Sequence, residues 1–134
     1  MAFVSSPRFL RYVLLADALS CLATGALQLA LTDPLAALLR LPAPLLLATG
    51  WFLLAYAAVV AFVATRDPIP RGPVWLFLAG NVGWAAGCIA LLVSGAVAPT
   101  GWGIAWVLAQ AVTVGLLADL QWMALRRRAI AGWA

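Results

Sequence analysis

Apolar and polar positions divide this chain into long blocks. Four stretches, near 10–31, 43–64, 73–94 and 102–125, are almost free of charge and rich in Leu, Ala and Val. An α-helix needs about 20 mostly apolar residues to cross about 30 Å of hydrocarbon, and each stretch is long enough. They are separated by TDPLAALLRLPAP, TRDPIPRGP and SGAVAPTGWG. The Pro and Gly of these segments remove a backbone donor or loosen the chain, and so end helices. The pattern predicts an all-α membrane protein, a single transmembrane domain over 1–134, built as a four-transmembrane-helix up-down-up-down bundle. DPLAALLRLP reads either as a loop or as a brief helix lying at the membrane surface. The first stretch reads as a span rather than a cleaved leader, because its apolar run of about 20 residues exceeds the usual 7–15.

The few polar residues inside these stretches follow a helical period. Asp17, Ser20, Cys21, Thr24 and Gln28 fall at i, i+3, i+4, i+7 and i+11, one stripe of an α-helix. In the third stretch Asn81, Trp84 and Cys88 share a face, beside a seam of Gly80, Gly83 and Gly87. Small residues of this kind let helices approach closely, so these glycines are expected at a packing surface. In the fourth, Trp106, Gln110, Thr113 and Leu117 share a face, while Asp119 falls roughly opposite Gln110 and stacks with Val112 and Gly115. Counting at 1.5 Å per residue puts Asp17, Tyr56 and Asn81 each about 12 Å below one boundary, with Asp119 and Gln121 shallower. A lone charge facing lipid costs about 2.5–3.5 kcal/mol on the insertion scale. Asp17, Tyr56 and Asn81 are therefore expected to point inward and meet. Asp119 is expected to meet another subunit, a partner or the membrane interface.

Composition sharpens the class. The chain is 66% hydrophobic and only 9% charged, against about 25% charged residues in a soluble domain. It has no His, which removes the commonest metal and haem ligand and the usual general base near neutral pH. Cys21 and Cys88 are isolated and read as small buried apolar residues. No metal and no cofactor are expected, and no serine–histidine pair, phosphate loop or dinucleotide fingerprint is present to make a catalytic set. The formal net charge of +4 comes with eight basic residues, all Arg, which flank the spans rather than line a groove. That argues against nucleic acid and for topology. Arg8 and Arg11, Arg66 and Arg71, and Arg126, Arg127 and Arg128 fall on one side, and Arg40 alone on the other. Under the positive-inside rule both termini are cytoplasmic, N-in and C-in, in a cell (inner) membrane. Tyr12, Trp75 and Trp122 near one boundary and Trp102 near the other suit an aromatic belt, whereas Trp51 and Trp84 lie deeper.

Three functions remain open. The first is an accessory or structural component, self-assembling as a homo-oligomer or joining a larger membrane complex. The second is a small oligomeric proton-coupled transporter or channel using Asp17, with Tyr56 and Trp84 as an aromatic wall for an organic cation. Four spans with one acid in the first resemble the small multidrug resistance transporters in outline. That resemblance implies a dimeric proton-coupled exporter, although those proteins carry Glu in that helix and a plain dimer seam where this chain has Asp119 and Gln121. The third is an intramembrane enzyme or lipid-binding module. Candidate ligand residues are Asp17, Tyr56, Asn81, Trp84, Gln110 and Asp119, and candidate packing residues are Gly80, Gly83, Gly87 and Gly115. The bilayer is the one partner that composition names, and a small-molecule ligand stays unnamed.

Overall fold

A computed structural model describes the backbone of residues 7–130 and the side chains of residues 8–126. Arg127 and Arg128, counted in the charge pattern, lie outside the described side chains. The elements in chain order are α1 (Pro7–Ala30), α2 (Thr32–Leu39), α3 (Ala43–Ala64), α4 (Arg71–Val93) and α5 (Gly101–Ile130). Four of these helices are long and apolar enough to cross a membrane, an arrangement compatible with a four-helix bundle. Among the described residues there is no strand.

Local chemistry sets the ends. The DPLAALLRLP segment is helical as α2, which stops where Arg40 turns left-handed at φ 54°. Pro44 lies in the first turn of α3, where its missing N–H has no helical partner to lose. The fourth apolar span, expected near 102–125, runs Gly101–Arg126, and the helix itself continues to Ile130 because the arginine run is a good helix former.

α1 and α3 pack antiparallel, with Arg11 beside Ala64, Asp17 beside Tyr56 and Gly25 beside Gly50. The crossing is tight: a Cβ added at Gly25 would lie 2.8 Å from the Gly50 carbonyl oxygen. α4 packs along α5, and α1 touches α5 to join the two pairs. α3 and α4 meet through rings. Phe52 stacks on Trp84 at 5.7 Å between centroids, and Tyr56 meets the edge of Phe77 at 5.6 Å. Aromatic side chains therefore hold these two backbones apart.

Arg8, Arg11, Arg66, Arg71 and Arg126 gather at one end of the bundle, and α2 marks the other. At the arginine end Leu10, Leu14, Val60, Phe77 and Leu125 form a continuous core, plugged by Ile69 from the α3–α4 connection. Arg11 donates to the Ala64 and Arg66 carbonyls, both at 2.9 Å, and so caps the end of α3. At the α2 end the buried core is smaller, with Leu39, Leu41, Leu46, Cys88 and Val107. Here α2 docks on the start of α5. The Thr100 hydroxyl donates to the Leu38 carbonyl at 2.7 Å, and Gly103 sits so close to the Leu39 carbonyl that a Cβ there would collide with it. Leu19, Leu76 and Val93 point outward, as a lipid-facing surface requires.

Candidate functional site

Asp17 is fully buried and is the hub of a polar cluster to which all four long helices contribute. It lies on the α1 stripe of Leu10, Leu14 and Cys21, all buried, so the helix turns its carboxylate into the bundle. Its Oδ2 accepts from Gln121 Nε2 of α5 at 2.9 Å, from Asn81 Nδ2 of α4 at 3.1 Å and from the Tyr56 hydroxyl of α3 at 3.4 Å. Its Oδ1 faces the Cys21 thiol one turn along, at 3.6 Å. The ring closes because Asn81 Nδ2 also donates to Gln121 Oε1 at 3.3 Å. Tyr56 has a second acceptor, the Phe77 carbonyl at 3.3 Å. With one proton on its hydroxyl, Tyr56 serves one of the two at a time. Asn81 and Gln121 are 3% and 0% exposed, so neither amide has water to fall back on.

The sequence reading had Asp17, Tyr56 and Asn81 converge, and the structure brings them together. It missed Gln121, taking it as too shallow. The signal that finds it is the stripe Gln110, Val114, Leu117, Gln121, which runs i, i+4, i+7, i+11 like that of α1. Asp119, two residues away, is exposed and outside the cluster. Trp84 and Gln110 form a separate pair nearer the α2 end, with Trp84 Nε1 donating to Gln110 Oε1 at 3.2 Å.

The glycines divide. Gly80 lies against the Tyr56 ring, with a Cβ meeting it at 3.9 Å. A Cβ at Gly83, Gly87 or Gly115 would meet nothing within 4 Å. These three do not sit at a close helix crossing of this chain; Gly25 and Gly50 do. The reason is the ring-mediated α3–α4 contact, which turns the Gly83 and Gly87 face toward an open groove.

That groove leads into cavities. One of about 330 Å³ lies between α3, α4 and α5, lined by Gln28, Leu46, Thr49, Gly83, Gly87 and Trp106. A second, of about 260 Å³, lies mainly between α1 and α5, beside Ser20, Thr24, Ala109 and Thr113. Trp84, Trp106 and Gln110 line both. A small space of about 70 Å³, beside Cys21, Tyr56 and Asn81, adjoins the Asp17 cluster. Cys21 and Cys88 are buried free thiols. No group of three His, Cys, Asp or Glu residues suited to a metal ion occurs among the described residues.

No protein-family model, curated protein or solved structure matches this chain.

Proposed function

We propose that this chain is an accessory or structural component of a cell membrane that assembles with a transmembrane partner through the outer face of α5. The observation that carries this reading is Asp119. It is exposed, makes no hydrogen bond or ion pair among the described residues, and lies about 10 Å along α5 from Arg126 at 1.5 Å per residue. Asp17 lies about 9 Å along α1 from Arg11, so the two acids share a depth. A carboxylate facing lipid there costs about 2.5–3.5 kcal/mol, a cost that a partner helix offering a cation or a hydrogen-bond donor removes. Val112 and Leu116 beside it are exposed and apolar, and Gly115 leaves room for a neighbour. A second copy of this chain and a larger complex are both forms of that assembly.

In this reading Asp17 is an internal clamp and not a coupling site, because donors from its own chain engage both carboxylate oxygens. The arginine distribution supports the up-down-up-down, N-in/C-in arrangement in an inner membrane, by the positive-inside rule.

The test is a photo-crosslinking side chain at Leu116, compared with one at the equally outward Leu76 of α4, in native membranes. The expected result is a discrete protein adduct at Leu116, absent at Leu76 and lost when Asp119→Leu is added. Lipid adducts alone at both positions contradict the proposal.

A further inference from the structure

The 330 Å³ cavity has unused hydrogen-bonding capacity on two of the helices that line it, Gln28 on α1 and Trp106 and Gln110 on α5. Gln28 is 2% exposed; its Nε2 donates to the Leu46 carbonyl at 3.0 Å and to Thr49 Oγ1 at 2.8 Å, while its Oε1 accepts nothing among the described residues. Gln110 uses Oε1 to accept from Trp84, and its Nε2 donates to nothing among the described residues. Trp106 Nε1 is sealed from solvent and has no partner among the described residues. A buried donor without an acceptor is costly, and Gln28, Trp106 and Gln110, which carry these groups, all line this one space.

That space has the dimensions and lining of a ligand site. Its volume lies at the lower end of the range of about 300–1,000 Å³ for small-molecule pockets. No charged side chain lines it. Its mouth runs along exposed Gly83 and Gly87, where α3 and α4 touch by rings, so a molecule dissolved in the bilayer enters sideways. The Asp17 cluster lies nearer the arginine end, off this route.

We infer that the cavity binds a neutral lipophile bearing a carbonyl group. The carbonyl oxygen accepts from the Gln110 amide and, after a small shift of the indole, from Trp106 N–H. The apolar body lies against Leu46, Leu91 and the Trp84 ring. An uncharged head is required because the walls offer no counter-charge, and a hydrocarbon lacks the acceptor that the donors need. A free lipophile and the ester of a membrane lipid both present this chemistry.

The test uses protein in nanodiscs of ether-linked phospholipid, which has no ester carbonyl, with decyl-benzoquinone as probe and decylbenzene as the acceptor-free control. A bound ligand stabilises the fold, so the benzoquinone is expected to raise Tm by about 3 °C or more at saturating concentration. Gly87→Leu fills the mouth, Trp106→Phe removes the N–H while keeping a ring, and Gln110→Leu removes the amide; each is expected to reduce the shift to below about 1 °C. A Cβ at Gly87 meets open space, so the helicity and unliganded Tm of Gly87→Leu should match or slightly exceed wild type, which separates lost binding from lost folding. Trp106→Phe should raise the unliganded Tm, since it deletes an unmet donor. Stabilisation by the benzoquinone, or by ester-linked over ether-linked lipid, that Gly87→Leu abolishes supports the site and identifies which source fills it. No shift in either comparison, a shift of equal size from decylbenzene, or a shift kept by all three variants overturns it.

Discussion

The tetrapeptide Leu-Leu-Ala-Asp occurs at 14–17 in α1 and again at 116–119 in α5, and its two copies have opposite environments. In α1 the outer two residues, Leu14 and Asp17, are buried and the middle two are exposed. In α5 the middle two, Leu117 and Ala118, are buried, while Leu116 and Asp119 are exposed. The four residues are identical, so local propensity cannot distinguish them. The register of each helix against the bundle decides which acid goes inside. α1 turns Asp17 inward with Leu10, Leu14 and Cys21, whereas α5 turns Gln121 inward with Val114 and Leu117. One carboxylate is thereby surrounded by donors and the other is presented to whatever lies outside the chain.

Breaking the enclosed copy should have the largest effect. Asp17→Leu strands the Asn81 and Gln121 donors in a buried site and removes one acceptor of Tyr56. The expected loss is about 3–5 kcal/mol, read by reversible unfolding in detergent or nanodiscs. The exposed copy should respond with the opposite sign. Asp119→Leu removes a carboxylate from a lipid-facing surface and should stabilise the inserted single chain by about 2.5–3.5 kcal/mol, while abolishing the Leu116 crosslink. If Asp119→Leu instead destabilises the isolated chain, α5 does not present its outer face to lipid.

A smaller effect sharpens the same contrast between enclosed and open positions. Gly25→Ala forces a Cβ onto the Gly50 carbonyl and should cost about 1–3 kcal/mol. Gly83→Ala meets open space and should leave the unfolding midpoint unchanged or slightly raised, because Ala favours helix over Gly. Equal losses at both glycines would mean that the Gly83 face is packed.

Much of this was legible in the sequence because membranes impose length. Apolar runs and Pro–Gly breaks mark the four long helices, and a depth count from the ends of the spans aligns Asp17, Tyr56 and Asn81. The count makes Gln121 shallower than Asp17, because it sees residues along each helix and not how the helices cross, yet Gln121 reaches Asp17 Oδ2 at 2.9 Å. The glycine seam is met only in part within this chain: Gly80 lies against the Tyr56 ring, and a Cβ at Gly83 or Gly87 would meet nothing within 4 Å. Gly80, Gly83 and Gly87 have the spacing of a packing surface, but whether a second backbone comes to meet it depends on the rings of Phe52 and Trp84, which spacing does not encode. The cavities were invisible for the same reason, being gaps between helices rather than properties of any one.

In the proposed reading Asp17 acts through its oxygens, as an acceptor for donors of its own chain, and not through its charge. The most direct test is the unfolding midpoint of Asp17→Asn beside Asp17→Leu in the same nanodiscs. An Asn at 17 keeps one carbonyl oxygen that can occupy the Oδ2 position and receive Gln121, Asn81 and Tyr56, while its amide takes the side facing Cys21. Asp17→Asn is expected to stay within about 1 kcal/mol of wild type, and Asp17→Leu to fall several-fold further. An Asn variant as unstable as the Leu variant would contradict it, because the negative charge itself would then be what the bundle is built around.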